Sequence, residues 1–176
     1  AEPGLEQNIS ALISFDYPDY EIFFTMASAD DPARKIIERV TAASKHKIHI
    51  VIAGRPNDCG EKVNNLRAAI LKATEGFDAY VFADSDGQPG RNWLSRLVAP
   101  LADSNLGAVT TFRWFFPQTR GFWSALASAW NAPAATYLGE HNRNFCWGGG
   151  TAIRRERFEQ CNVIEFWNGS VSDDFS

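Results

Sequence analysis

The sequence predicts an α/β fold, a mostly parallel sheet with helices on both faces, and three observations carry that expectation. Helical-period segments and short apolar runs alternate between Pro3 and Phe115, the order of strands joined through helical crossovers. The composition is 45% hydrophobic and 22% charged, that of a chain able to bury a core. The apolar run Ala79–Ala83 ends in Asp84-Ser85-Asp86-Gly87, and ligands of open α/β sheets bind beyond the carboxyl ends of the strands.

The elements follow in order. Residues Pro3 to Phe15 place Leu5, Ile9, Leu12 and Ile13 on one helical face, and Asp16-Tyr17-Pro18-Asp19 ends it. Glu21–Ala27 reads as a buried strand. Asp30-Asp31-Pro32 supplies a cap and a first-turn proline for a helix reaching Ser44, with Ile36, Ile37 and Val40 inward. Ile48–Ala53 is the next strand and Gly54–Gly60 a polar loop. Glu61–Thr74 is a helix with Leu66, Ala69, Ile70 and Ala73 inward, closed by Gly76. After the strand at Ala79–Ala83 come a helix over Asn92–Leu101 and a strand over Ala108–Phe115. A helix is expected over Gly121–Leu138, broken at Pro133, then a tight turn at Trp147-Gly148-Gly149-Gly150. A strand at Thr151–Arg154, a helix at Glu156–Cys161, a turn at Asn168-Gly169 and a helix start at Ser172-Asp173-Asp174 complete the chain. No repeat or internal boundary is visible, so residues 1–176 read as one domain. A sheet of this type normally opens with a strand, so the first strand is expected to lie outside these residues.

Bulk properties exclude several classes. A net charge of −4 gives no electrostatic footprint for nucleic acid. Cys59, Cys146 and Cys161 are widely spaced with no Cys-x-x-Cys pair, which suggests neither a disulfide framework nor a zinc site and fits a reducing compartment. No apolar run approaches the roughly 20 residues of a membrane helix, and the N-terminus lacks signal-peptide character. The segment is expected to be soluble. A membrane-anchored parent is compatible with this.

Asp84 and Asp86 form a hard oxygen pair suited to Mg²⁺ or Mn²⁺, ions that keep positions open for substrate phosphates. The competing reading is an ordinary Asx turn. An EF-hand is disfavoured, since Gly87 stands fourth and Ser95 twelfth in the would-be loop. Lys62, at a helix start after Gly60, favours an anionic ligand. Phe112, Trp114, Phe122, Trp123, Trp130 and Trp147 belong to an aromatic-rich span, read mostly as core, with a lipid groove or a membrane interface as the functional alternative.

Taken together, Asp30-Asp31-Pro32-Ala33, Lys62-Val63-Asn64-Asn65-Leu66, Asp84-Ser85-Asp86, Gly149-Gly150-Thr151-Ala152-Ile153-Arg154-Arg155 and Asp173-Asp174-Phe175 stand in the order of a known family. The chain resembles a GT-A glycosyltransferase of Rossmann-like fold, in the ceramide glucosyltransferase branch with its bacterial hopanoid-associated relatives. The resemblance implies an inverting enzyme moving a hexose from a nucleotide sugar, UDP-linked, to a lipid hydroxyl. It implies Asp31, Lys62, Asn65 and Asp84 in the nucleotide-sugar pocket, and Asp84 and Asp86 at the metal. It assigns Asp174 as general base, and Trp147, Gly149 and Asp173 to the acceptor side, Asp173 standing where the family usually has Glu. The family's Gln/Arg-x-x-Arg-Trp segment is expected after Asp174, outside these residues, and the resemblance puts the parent at the cytoplasmic face of a membrane, anchored by segments outside this chain. Two alternatives stay open: a nucleotidyltransferase of related fold, and a non-catalytic domain that keeps the sheet.

Overall fold

The computed structural model describes residues 3–73, 76–114, 121–136, 138, 145–147 and 149–173. Helix α1 (Leu5–Leu12) is followed by β1 (Glu21–Met26), α2 (Pro32–Thr41), β2 (Lys47–Ile52), α3 (Glu61–Lys72) and β3 (Ala79–Ala83). Next come α4 (Trp93–Val98) with a 3₁₀ turn at Ala99–Ala102, β4 (Ala108–Thr110) and α5 (Phe122–Thr136). The chain continues through β5 (Gly150–Arg154), α6 (Arg155–Gln160) and α7 (Val163–Phe166).

Strands β1 and β2 pair in parallel, Glu21 against Lys47 through Met26 against Ile52. Leu5 and Ile9 of α1 and Ile37 of α2 pack with Met26, Phe24 and Ile50 of this sheet. A second sheet has the order β3-β5-β4. There β5 runs antiparallel to both neighbours, which makes β3 and β4 parallel to each other. The expected parallel crossovers are thus present, with one reversed strand between β3 and β4.

Side chains of β3 alternate between two cores, as a pleated strand requires. Tyr80 and Phe82 join Val63 of α3, Phe158 of α6 and Trp167. Ala79 and Val81 join Leu97 of α4, Leu101 and Ala152. Helices therefore cover both faces of this sheet. Helix α1 ties to its far end, where the buried Asn8 side chain donates to the Ser85 carbonyl at 2.8 Å and Phe15 stacks on Trp93 at 5.5 Å.

Several element bounds depart from expectation. The strand expected over Ala108–Phe115 leaves its ladder at Thr110, and residue 115 lies outside the described residues. Thr111 makes one further backbone bond, to Gly150 at 2.7 Å, and residues 111–114 are irregular. Helix α5 passes through Pro133 instead of breaking there. Pro133 removes the bond that its N–H would make to the carbonyl four residues earlier, and only three helical residues follow it; the Thr136 hydroxyl donates to the Pro133 carbonyl at 2.6 Å. The expected helix start at Ser172 falls at the edge of the described residues: Ser172 and Asp173 are non-helical, and Asp174 lies outside them. Core packing does not account for the aromatic residues that the span places on α5. Phe122, Trp123 and Trp130 are 73%, 78% and 84% exposed.

Candidate active site

The site forms where the carboxyl end of β3 meets the N-terminus of α3 and the segment after α7. Asp84 and Asp86 follow β3 directly, so the end of the strand fixes where they emerge. Asn8 holds the intervening Ser85 carbonyl from below. Such a buried side-chain bond spanning 77 residues leaves the turn little freedom.

Two cations bind these carboxylates. Lys62, in the first turn of α3, places its Nζ 3.1 Å from Asp84 Oδ1 and 3.1 Å from Asp173 Oδ1. Burial works against the Lys62 charge, but Asp173 and Asp84 outweigh it and its pKa is raised above the ordinary lysine value. Arg113 donates to Asp84 Oδ2 at 2.9 Å and to both oxygens of Asp86 at 3.2 Å. Asp84 is thus shared between a lysine from one element and an arginine from another. Its side chain is 28% exposed, while that of Asp86 is 52% exposed and open to solvent.

Glycines admit these contacts. A Cβ on Gly149 would fall 2.8 Å from an Arg113 guanidinium nitrogen and 3.3 Å from Nε. The guanidinium therefore rests against bare backbone. Gly150 likewise makes room for Thr111 and Trp93. The turn below is pinned by threonines: the Trp147 N–H donates to Thr110 Oγ1 at 2.8 Å, and Thr151 Oγ1 donates to the Trp147 carbonyl at 2.9 Å. At the start of α3, the Gly60 N–H donates to the Ser170 carbonyl at 2.8 Å. A Cβ on Gly60 would collide with the Val171 carbonyl. That close approach carries Asp173 to Lys62.

Of the residues expected at a site, Lys62, Asp84, Asp86 and Asp173 are drawn into one ion-pair network, with Gly149 beneath it. Asp31 caps α2, its Oδ1 accepting the Ala33 N–H at 2.8 Å, a contact that leaves a second carboxylate oxygen. Asn65 holds a buried Oδ1 with no partner among the described residues. Its neighbour Asn64 bonds the carbonyls of Ala53 and Gly54 at the end of β2. Trp147 stacks edge-on with Phe112 at 5.4 Å. Asp174 and Gly148 lie outside the described residues.

Sequence reasoning missed Arg113, Asn8 and the packing role of Gly60. Arg113 is the first cation after β4, a strand of the same sheet as β3, and that position was its available signal.

Two carboxylates one residue apart, one of them open to solvent, suit a hard divalent ion completed by substrate oxygens. Among the described residues, no group of three or more His, Cys, Asp or Glu is gathered closely enough to hold an ion unaided. Among the described residues, too, no helix is long and apolar enough to cross a membrane.

The architecture is that of a partial GT-A, Rossmann-like domain. No curated protein matches the chain. The family model described as glycosyl transferase family 21 matches residues 1–176, taking in both sheets and every carboxylate of the network. A match running the length of the chain, on a fold that brings those carboxylates to one rim, leads to one conclusion: the chain belongs to glycosyl transferase family 21, and its chemistry is glycosyl transfer.

Proposed function

We propose that this domain transfers a hexose from a nucleotide sugar, UDP-linked, to a lipid hydroxyl with inversion at the anomeric carbon. The observation that carries the reading is the convergence of Asp84, Asp86, Lys62 and Asp173 at the carboxyl end of β3. A donor diphosphate needs positive charge beside it as the glycosidic bond breaks, and Lys62 and Arg113 both supply it at this rim. Asp84 and Asp86 would hold Mg²⁺ or Mn²⁺, which when bound acts as a Lewis acid on the leaving diphosphate. Asp31 and Asn65 are assigned to the nucleotide end of the donor. The second oxygen of Asp31, and the Asn65 Oδ1 that has no partner among the described residues, supply acceptor atoms for it.

Asp174 takes the proton of the acceptor hydroxyl, a step typically worth ~10²–10⁴-fold. Direct attack by that oxygen inverts the sugar carbon. The neighbour of Asp174, Asp173, is paired with Lys62 at this rim. Gly149 and Trp147 are assigned to the acceptor side. The solvent-facing Phe122, Trp123 and Trp130 support an acceptor with an apolar body, of the ceramide or hopanoid kind. The parent would then work at the cytoplasmic face of a membrane that presents this lipid.

The test is a product assay on the full-length protein with a panel of nucleotide sugars and lipid acceptors. Wild type should yield an inverted glycolipid from a UDP-hexose, and Asp86→Ala and Asp174→Ala should each lose at least ~10²-fold in turnover. Full turnover in both variants would remove these role assignments. Preference for UTP with release of pyrophosphate would favour nucleotidyl transfer instead.

A further inference from the structure

Arg113 neither belongs to the sequence motifs nor follows from the family match, yet it makes more contacts to the paired carboxylates than any other described side chain. One guanidinium nitrogen meets Asp84 Oδ2 at 2.9 Å, and another meets both Asp86 oxygens at 3.2 Å. These are the oxygens that the proposed divalent ion would need. A planar guanidinium matches two carboxylates in this way, whereas an ammonium is a point charge. The backbone is shaped for it as well. Gly149 leaves open the space that the guanidinium fills, and a Cβ there would lie 2.8 Å from its nitrogen.

We infer that Arg113 is a resident counter-charge that competes with the divalent ion for Asp84 and Asp86, and that it must release both carboxylates before an ion can take them. The inference rests on the metal reading above. Its physical basis is that a carboxylate oxygen held by a guanidinium is less available to a second cation. Both cations also repel each other at contact distance. The contact keeps the two carboxylates aligned, and it sets a threshold of ion concentration for loading the site. Arg113 is here a positioning residue, and once released its guanidinium is free to meet donor phosphate oxygens at the same rim.

The test is a Mn²⁺ titration of the purified full-length protein without nucleotide, followed by calorimetry or electron paramagnetic resonance. The proteins compared are wild type, Arg113→Gln, Gly149→Ala and Asp86→Asn. Asp86→Asn gives the background. Arg113→Gln should bind Mn²⁺ about tenfold more tightly than wild type, the scale expected for losing a few partly exposed ion pairs. Gly149→Ala, which displaces the guanidinium while keeping its charge, should move affinity the same way by a smaller factor. It also serves as the second variant should Arg113→Gln fail to fold by circular dichroism. Equal or weaker binding in the folded variants, with wild type above the Asp86→Asn background, overturns the competition and leaves the metal reading standing. No binding above background in any protein removes the metal reading, and the competition with it.

Discussion

Lys62 illustrates how much of this site depends on single charges. It stands between Asp84 and Asp173, each 3.1 Å away, on the first turn of a helix whose exposed dipole end already favours anions. Its pKa is raised in the folded protein by those two carboxylates, against the opposing effect of burial. The stabilisation is therefore complete below the unfolded lysine value of about 10.4 and is lost as pH rises through the higher folded value. Urea denaturation of wild type and Lys62→Met should differ by about 1 kcal/mol at neutral pH, and the difference should shrink as the pH rises through the raised folded value. A gap that widened with pH would mean that Lys62 is not held by these carboxylates. The sequence already pointed to Lys62, Asp84 and Asp86, because a cation at a helix start and carboxylates at a strand end have local signatures. Arg113 has none. It lies 29 residues from Asp84 and 27 from Asp86, in an aromatic run without a motif. Only the antiparallel return of β5, which brings Gly149 underneath, defines its place.

The strands were legible because their apolar runs are short and bounded, and β3 was placed to the residue. Helix ends and strand direction were harder to read. The reversal of β5 depends on long-range pairing with β3 and β4, which a local period does not encode. Pro133 was expected to break α5, yet the helix runs three residues past it. The junction of α3 with the segment after α7 was also invisible locally. Gly60 there looks like a plain helix boundary but acts as a contact surface for Val171. Replacing Gly60 by Ala should push residues 170–173 outward and cost about 1–3 kcal/mol. It should also uncouple Asp173 from Lys62. In a double-mutant cycle, Asp173→Asn should therefore cost less in the Gly60→Ala background than in wild type. Additive losses would show that the segment reaches Lys62 without help from Gly60.

The molecule as a whole has two unlike regions: an ionic rim at the end of β3, and an uncharged helix, α5, with large aromatic side chains facing solvent. Exposed side chains of this kind contribute little to folding, so Trp123→Ser with Trp130→Ser should change stability by no more than about 0.5 kcal/mol. Turnover on a lipid acceptor presented in micelles should fall severalfold in the same protein. A large loss of stability, or full turnover, would separate α5 from acceptor handling. The ionic rim has a different consequence, for the approach of the donor. Asp84, Asp86 and Asp173 carry three negative charges against the two positive charges of Lys62 and Arg113, which leaves these five groups one negative charge in sum. So near a balance, the cluster projects only a faint field past the first layers of water. The cluster itself therefore adds little pull or push on an anionic donor drifting in solution, and the salt dependence of the encounter comes from the chain's overall charge of −4 rather than from the rim. Selection then happens on arrival, through the contacts the donor makes there.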